Sequence, residues 1–181
     1  MKRILPVVLL ALALGTGAAG AVGVKIGAGV FGGASFPVVQ EDAKQGSIFG
    51  LRLPVTVLPL LRVEPYWATS SLGDVEETFG TLPYTRDGGK VTAYGVNAML
   101  ATGGPLRFYP FVGIGSHKLT RAASDDLTRV GYNLGLGLGT SAIPKLDVDL
   151  RGELNLIALG ETSRKFINVT AGVSYHFLSL P

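Results

Sequence analysis

Four ionisable residues stand at alternate positions in "LDVDLRGELNL": Asp147, Asp149, Arg151 and Glu153, separated by Val148, Leu150 and Gly152. In an extended chain successive side chains point to opposite faces, so all four would share one face. Carboxylates beside a guanidinium are the material of ion pairs, of acid–base chemistry or of a charged pore. Five further charges obey the same rule: Lys25, Arg52, Arg62, Glu64 and Arg107 each sit out of phase with a row of apolar neighbours. In any dry environment such groups must be paired, because an unpartnered buried charge costs several kcal/mol.

Other candidate chemistry is weaker. "GAGVFG" (Gly27 to Gly32) spells a dinucleotide fingerprint, but that motif needs a following helix and an acidic residue further on. Here alternation runs straight through it. Ser116 and His117 are adjacent, so on a strand they point apart and cannot form a nucleophile–base pair. Asp125, Asp126 and the carboxylates of "GDVEE" (73–77) read as solvated loop charge that could also meet divalent cations. Asn168-Val169-Thr170 is a glycosylation triplet within a strand. No residue set supports a cofactor or a metal.

The elements that would position the charges are strands. Period-2 alternation between turn signals predicts eight of them: 22–34, 47–57, 61–71, 90–101, 106–118, 129–141, 146–157 and 166–178. Connectors after the second, fourth and sixth are short ("LPL", "TGGP", "AIPK"). Those after the first, third, fifth and seventh are longer and more polar (37–46, 72–89, 119–128 and 158–165). In an antiparallel meander every short turn then lies at one end and every long loop at the other. One phase of each strand is apolar throughout, as in Val130, Tyr132, Leu134, Leu136 and Leu138. The other holds the charges and many glycines, as in Gly131, Asn133, Gly135, Gly137 and Gly139.

That second phase makes a poor water-facing surface, since most of it is Gly, Ala, Asn and Thr. It makes a good interior for a narrow barrel, where eight strands leave room only for packed side chains. Glycines on 129–141 would make space for the long charged groups on 146–157. The apolar phase then meets lipid, where backbone groups must be paired and the sheet must close. A basic residue on that face would cost about 2–4 kcal/mol near the midplane; the arginines all lie in the opposite phase. A soluble carrier barrel, with the apolar phase inward, is the competing architecture.

Bulk composition agrees. The chain has 181 residues, 47% hydrophobic and 16% charged, with 26 glycines and no cysteine. Lys2 and Arg3, the apolar run Ile4 to Leu14 and Ala19-Gly20-Ala21 have the layout of a cleaved signal peptide over 1–21. The remaining domain, 22–181, loses Lys2 and Arg3 and keeps fourteen basic residues against thirteen acidic. A near-neutral chain gives no support for nucleic-acid binding. Past Val22, no apolar run reaches the length of a transmembrane helix.

The alternating strands, the short-turn and long-loop rhythm, "VGVKIGAGVFGG" and the closing "INVTAGVSYHF" resemble the small eight-stranded outer-membrane β-barrels, the OmpA-like and OmpX-like family. The fold expected is therefore all-β, an eight-stranded antiparallel up-and-down transmembrane barrel in the outer membrane of a diderm bacterium. The resemblance implies termini and short turns in the periplasm and long loops outside. It makes Tyr175 and Phe177 an insertion signal read by the barrel-insertion machinery, although Leu-Ser-Leu-Pro follows here. Trp67, Phe108, Tyr132, Tyr175 and Phe177 are candidates for the aromatic girdles. Outer-membrane lipids and lipopolysaccharide are the partners implied, with a monomeric barrel and an unidentified external ligand. The nine charges become a lumen ion-pair network. Three functions follow, in order: a structural or surface-interaction barrel, a narrow porin-like channel gated by a pair such as Arg151–Glu153 or Arg52–Glu153, and a lipid-A-modifying enzyme.

Overall fold

A computed structural model describes residues 23–38, 44–58, 60–79, 82–100, 106–121, 124–158 and 163–180; the expected leader lies outside them. Described residues fall into eleven strands: β1 (Lys25–Val38), β2 (Lys44–Arg52), β3 (Val55–Thr56), β4 (Leu61–Gly73), β5 (Val75–Phe79), β6 (Leu82–Arg86), β7 (Lys90–Leu100), β8 (Leu106–Arg121), β9 (Ser124–Ile143), β10 (Leu146–Ala158) and β11 (Ser163–Ser179). Neighbours pair antiparallel in sequence order, and β11 pairs back onto β1 from Lys25↔Ser179 to Val38↔Lys165. The sheet is thus a closed barrel of eight staves, with β2 and β3 forming one stave and β5–β6 a separate hairpin between β4 and β7. Closure leaves no unpaired edge, the condition for a sheet in hydrocarbon.

The β2–β3 break has a local cause. Pro54 has no N–H for the ladder, so the stave is interrupted there. Pairing continues around it: Leu53 N donates to Pro65 O and Gly27 N to Pro54 O, each at 2.9 Å. At the opposite side of the sequence, Lys145 takes a left-handed φ of 64° in the tight turn from β9 to β10.

Strand ends differ from the sequence reading mostly at the loop end. β1, β4, β8 and β9 run further towards the loop end than alternation predicts, so the expected loop 119–128 is mostly the tip of a tall β8–β9 hairpin. Its sequence, "LTRAASDDLT", has no period-2 alternation, although the ladder continues through Leu119↔Leu127 to an irregularity before Arg121↔Ser124.

The apolar phase faces outward. Leu134, Leu136 and Leu138 on β9 are 52, 53 and 47% exposed, and Leu150 on β10 is 55% exposed. Between them, inward residues of the same strands are buried. The fingerprint-like Gly27–Gly32 lies wholly within β1, with no helix after it.

Candidate functional site

Inward side chains from every stave meet in layers along the barrel axis. Nearest the turn end, Asp147 on β10 gathers four partners: Arg62 at 3.0 Å, Arg107 at 2.7 Å, His176 Nε2 at 2.8 Å and Ser141 Oγ at 2.6 Å. Above it, Arg52 grips Asp149 with both terminal nitrogens, at 3.0 and 2.7 Å, and its Nε donates to Ser174 Oγ at 3.0 Å. Next, both terminal nitrogens of Arg151 reach the Glu64 carboxylate, Nη2 at 2.9 Å. Its Nε donates to Tyr109 Oη at 3.0 Å and to Asp149 at 3.2 Å.

Arg52, Glu64 and Arg151 are 2, 1 and 6% exposed. Charges so buried persist only with good geometry and saturated donors. Both arginines meet that condition with fork-to-carboxylate pairs, the strongest form of the interaction. Aromatic faces add to it: the Arg151 guanidinium lies 5.4 Å from the Tyr109 ring centre and 5.7 Å from that of Phe111.

These rings explain the glycines. A Cβ at Gly135 would run into the Phe111 ring, and one at Gly137 into Tyr109. At Gly131 it would come within 2.6 Å of His117 Nδ1. The glycines of β9 therefore seat the rings of β8, the strand before, and not chiefly the charges of β10 as the sequence reading has it. Gly139, which meets the Asp149 side chain at 3.2 Å, comes closest to the expected role. Ring and charge are coupled nonetheless, since the rings laid on glycine are those that stack against Arg151.

Above the ion pairs lies a chamber lined by Tyr66, Ser70, His117, Arg151, Glu153 and Asn168 among others. Glu153 accepts from Asn155 Nδ2 at 2.6 Å and makes a long contact of 3.5 Å to Asn168 Nδ2. Over the chamber, Val91, Leu119, Ile157 and Phe166 form a buried apolar cluster with Leu127 against it. Ile157 is wholly buried. The loop end of the lumen thus carries a buried apolar cluster, and the turn end paired charges.

Seven of the nine charges read from the sequence take part in the ion pairs: Arg52, Arg62, Glu64, Arg107, Asp147, Asp149 and Arg151. Lys25 does not. It is exposed as the first residue of β1, before a register irregularity at Ile26/Gly27 that takes it out of the inward phase. Glu153 faces the interior, but the expected Arg151–Glu153 and Arg52–Glu153 pairs are replaced by Arg151–Glu64 and Arg52–Asp149. The Arg151 side chain runs towards the turn end, where its Nε meets Asp149 of its own strand and both terminal nitrogens meet Glu64 of β4, so it turns away from Glu153.

Sequence reasoning put Asn133 and Asn168 in the inward phase but gave no role in the site to them or to the other polar residues that complete it. Tyr66, Asn97, Asn133, Asn155, Asn168 and His176 share the inward phase of the charges, and that phase was the available signal. Asn133 Nδ2 donates to Asn97 Oδ1 at 2.8 Å across the β8 stave. Asn168 is 3% exposed, so its glycosylation triplet is inaccessible. His117 points inward and is buried, while Ser116 is on the other phase.

On the outside, Trp67, Phe108, Tyr132, Tyr175 and Phe177 are all exposed on the apolar face. Phe108, Tyr175 and Phe177 lie near the turn end of β8 and β11, whereas Trp67 directly opposes Tyr94 near the middle of the β4–β7 ladder. At the loop end, Lys118 pairs with Asp126 at 2.6 Å, and its hydrogen bond holds that carboxyl below the usual carboxylate range. Of the carboxylates read from the loops, Asp126 therefore lies on the β8–β9 hairpin, and Val75 to Glu77 of "GDVEE" on β5.

A closed eight-stave barrel with an apolar belt and a paired polar interior defines an outer-membrane protein. Residues 4–177 match the outer membrane protein beta-barrel domain family, and the chain belongs to it. Its fold is also that of several solved structures. Neisserial surface protein A aligns with a TM-score of 0.63 at 15% identity, over 85% of this chain and 97% of that one. The N-terminal β-barrel domain of Pseudomonas aeruginosa OprF aligns at 0.54 and 16%, over 84% and 97%. Ail, the attachment invasion locus protein of Yersinia pestis, aligns at 0.51 and 16%, over 86% and 99%. No curated protein matches the chain. The protein is an integral β-barrel of the bacterial outer membrane, and its surroundings are the lipids and lipopolysaccharide of that membrane.

Proposed function

We propose that this barrel is a sealed, non-enzymatic protein that acts structurally or through its loop end, with its interior serving as a plug. The observation that carries this reading is the double closure of the lumen. Paired Arg52, Arg62, Arg107 and Arg151 fill the turn end, and the Ile157–Phe166 cluster closes the loop end. Water and ions crossing the barrel would have to part both. Placing the loop end outside puts the β5–β6 hairpin and the tall β8–β9 hairpin where an external partner could meet them. In this reading the leader over 1–21 is removed, the barrel is monomeric, and Tyr175 and Phe177 are what the insertion machinery recognises.

A narrow channel is the second reading, because the chamber around Glu153 already supplies part of a path. Current across a planar bilayer separates the two. Barrels extracted from outer membranes are expected to show no discrete conductance steps, and neither Arg151→Ala nor Glu153→Ala should create or abolish one. Steps in the wild type that change with either substitution would establish the channel instead.

A further inference from the structure

The chamber contains a charge that the ion-pair network leaves aside. All three nitrogens of the Arg151 guanidinium, the nearest along the strand, are engaged: both Nη atoms with Glu64, and Nε with Tyr109 and Asp149. Arg52 is committed likewise to Asp149 and Ser174. Glu153 is left with amide donors alone, Asn155 at 2.6 Å, Asn168 at 3.5 Å and Asn133. A carboxylate enclosed in a barrel needs a cation or a proton in contact.

The surroundings favour a cation. Ser70 Oγ, Tyr66 Oη and Asn168 Oδ1 line the chamber or border it, and none has a hydrogen-bond partner. Ser70 and Asn168 are each 3% exposed, far from any competing solvent. A proton on Glu153 would satisfy one of these oxygens and leave the others orphaned. The chamber has about 30 Å³ of room for water centres, and a single water needs roughly 10–15 Å³ by that measure. There is space for one small ion with one water. With a single carboxylate, the site lacks the several charged ligands that a calcium ion draws on.

We propose that the chamber binds one monovalent alkali cation, held by the Glu153 carboxylate and by neutral oxygens of Ser70, Tyr66 and Asn168. Three strands, β4, β10 and β11, supply these ligands, so the ion ties together staves far apart in sequence. The inference is independent of conductance: an occluded ion fits a sealed barrel, and the same site would be a resting point in a conducting one.

Thallium(I), a heavy substitute for potassium, provides the test. Crystals of the barrel extracted from outer membranes and grown with thallium acetate are expected to show an anomalous peak in the chamber, in contact with Glu153. Glu153→Gln keeps the shape and the Asn155 contact, and its crystals should lose the peak. Should that variant fail to fold, Asn168→Val removes a neutral ligand instead and should weaken the peak. A wild-type chamber with no anomalous density would overturn the proposal, as would a peak undiminished in Glu153→Gln. So would an infrared carbonyl band of a protonated carboxyl that disappears in Glu153→Gln.

Discussion

Arg151→Leu is expected to lower the unfolding free energy by about 3–5 kcal/mol, the range for breaking a buried pair and stranding its partner. Glu64 is 1% exposed and both of its oxygens are held by Arg151. Without the guanidinium, the carboxylate is cut off from bulk water, with the apolar cluster on one side and the Asp147 and Asp149 layers on the other. Tyr109 and Phe111 also lose the cation against which they pack. Urea titration of the barrel in lipid vesicles can be followed by Trp67, the sole tryptophan, which lies on the lipid-facing side. Combining Arg151→Leu with Glu64→Leu should recover a large part of the loss, because the stranded charge goes with it. A cost for the single substitution below about 1 kcal/mol, the scale of an exposed pair, would contradict the burial described here. The Lys118–Asp126 pair provides that comparison in the same molecule: both side chains are about half exposed, and Lys118→Leu should change stability little.

Leu136→Arg is expected to cost about 2–4 kcal/mol in a bilayer, the midplane penalty for a basic side chain on the lipid face. Leu136 lies between Pro110 of β8 and Gly152 of β10, well inside both staves, and points outward. The penalty depends on depth, so Thr128→Arg, near the β8–β9 tip, should cost close to nothing. The measurement is the same urea titration, and the informative quantity is the difference between the two sites. Equal tolerance at both positions would mean that Leu136 does not lie in hydrocarbon.

Much of the architecture was legible because lipid outside and a packed polar interior impose opposite chemistries on alternate residues. Each stave repeats the contrast, and errors at one strand are corrected by its neighbours. Leu134, Leu136 and Leu138 could be assigned to lipid from spacing alone. Strand ends were less legible. Beyond the membrane belt the outward face is no longer apolar, so alternation fades past Lys118 and Thr128 although the ladder continues. The inward side was legible for eight of the nine charges, all but Lys25, since phase decides inside or outside and nothing more. Partner choice was not. Arg151 prefers Glu64 to Glu153 because the two staves bring their side chains together across the lumen, a relation fixed by shear and not by sequence distance. The bulge that displaces Lys25 has no sequence mark apart from glycine nearby. The glycines of β9 were read as space, correctly, but their occupants are rings from β8, which only cross-strand register reveals.

The orientation of the sheet itself is the claim on which the rest depends, and the absence of cysteine makes it directly measurable. Single cysteines at 134, 136 and 138, each carrying a nitroxide, can be compared with one at 145 in the exposed turn between β9 and β10. In lipid vesicles the account predicts frequent collisions with oxygen and few with a water-soluble nickel chelate at the first three sites, and the reverse at 145. Leucine positions that collide with the nickel chelate as readily as 145, or that are shielded from oxygen, would contradict it, because those residues would then face water or a protein core and not lipid.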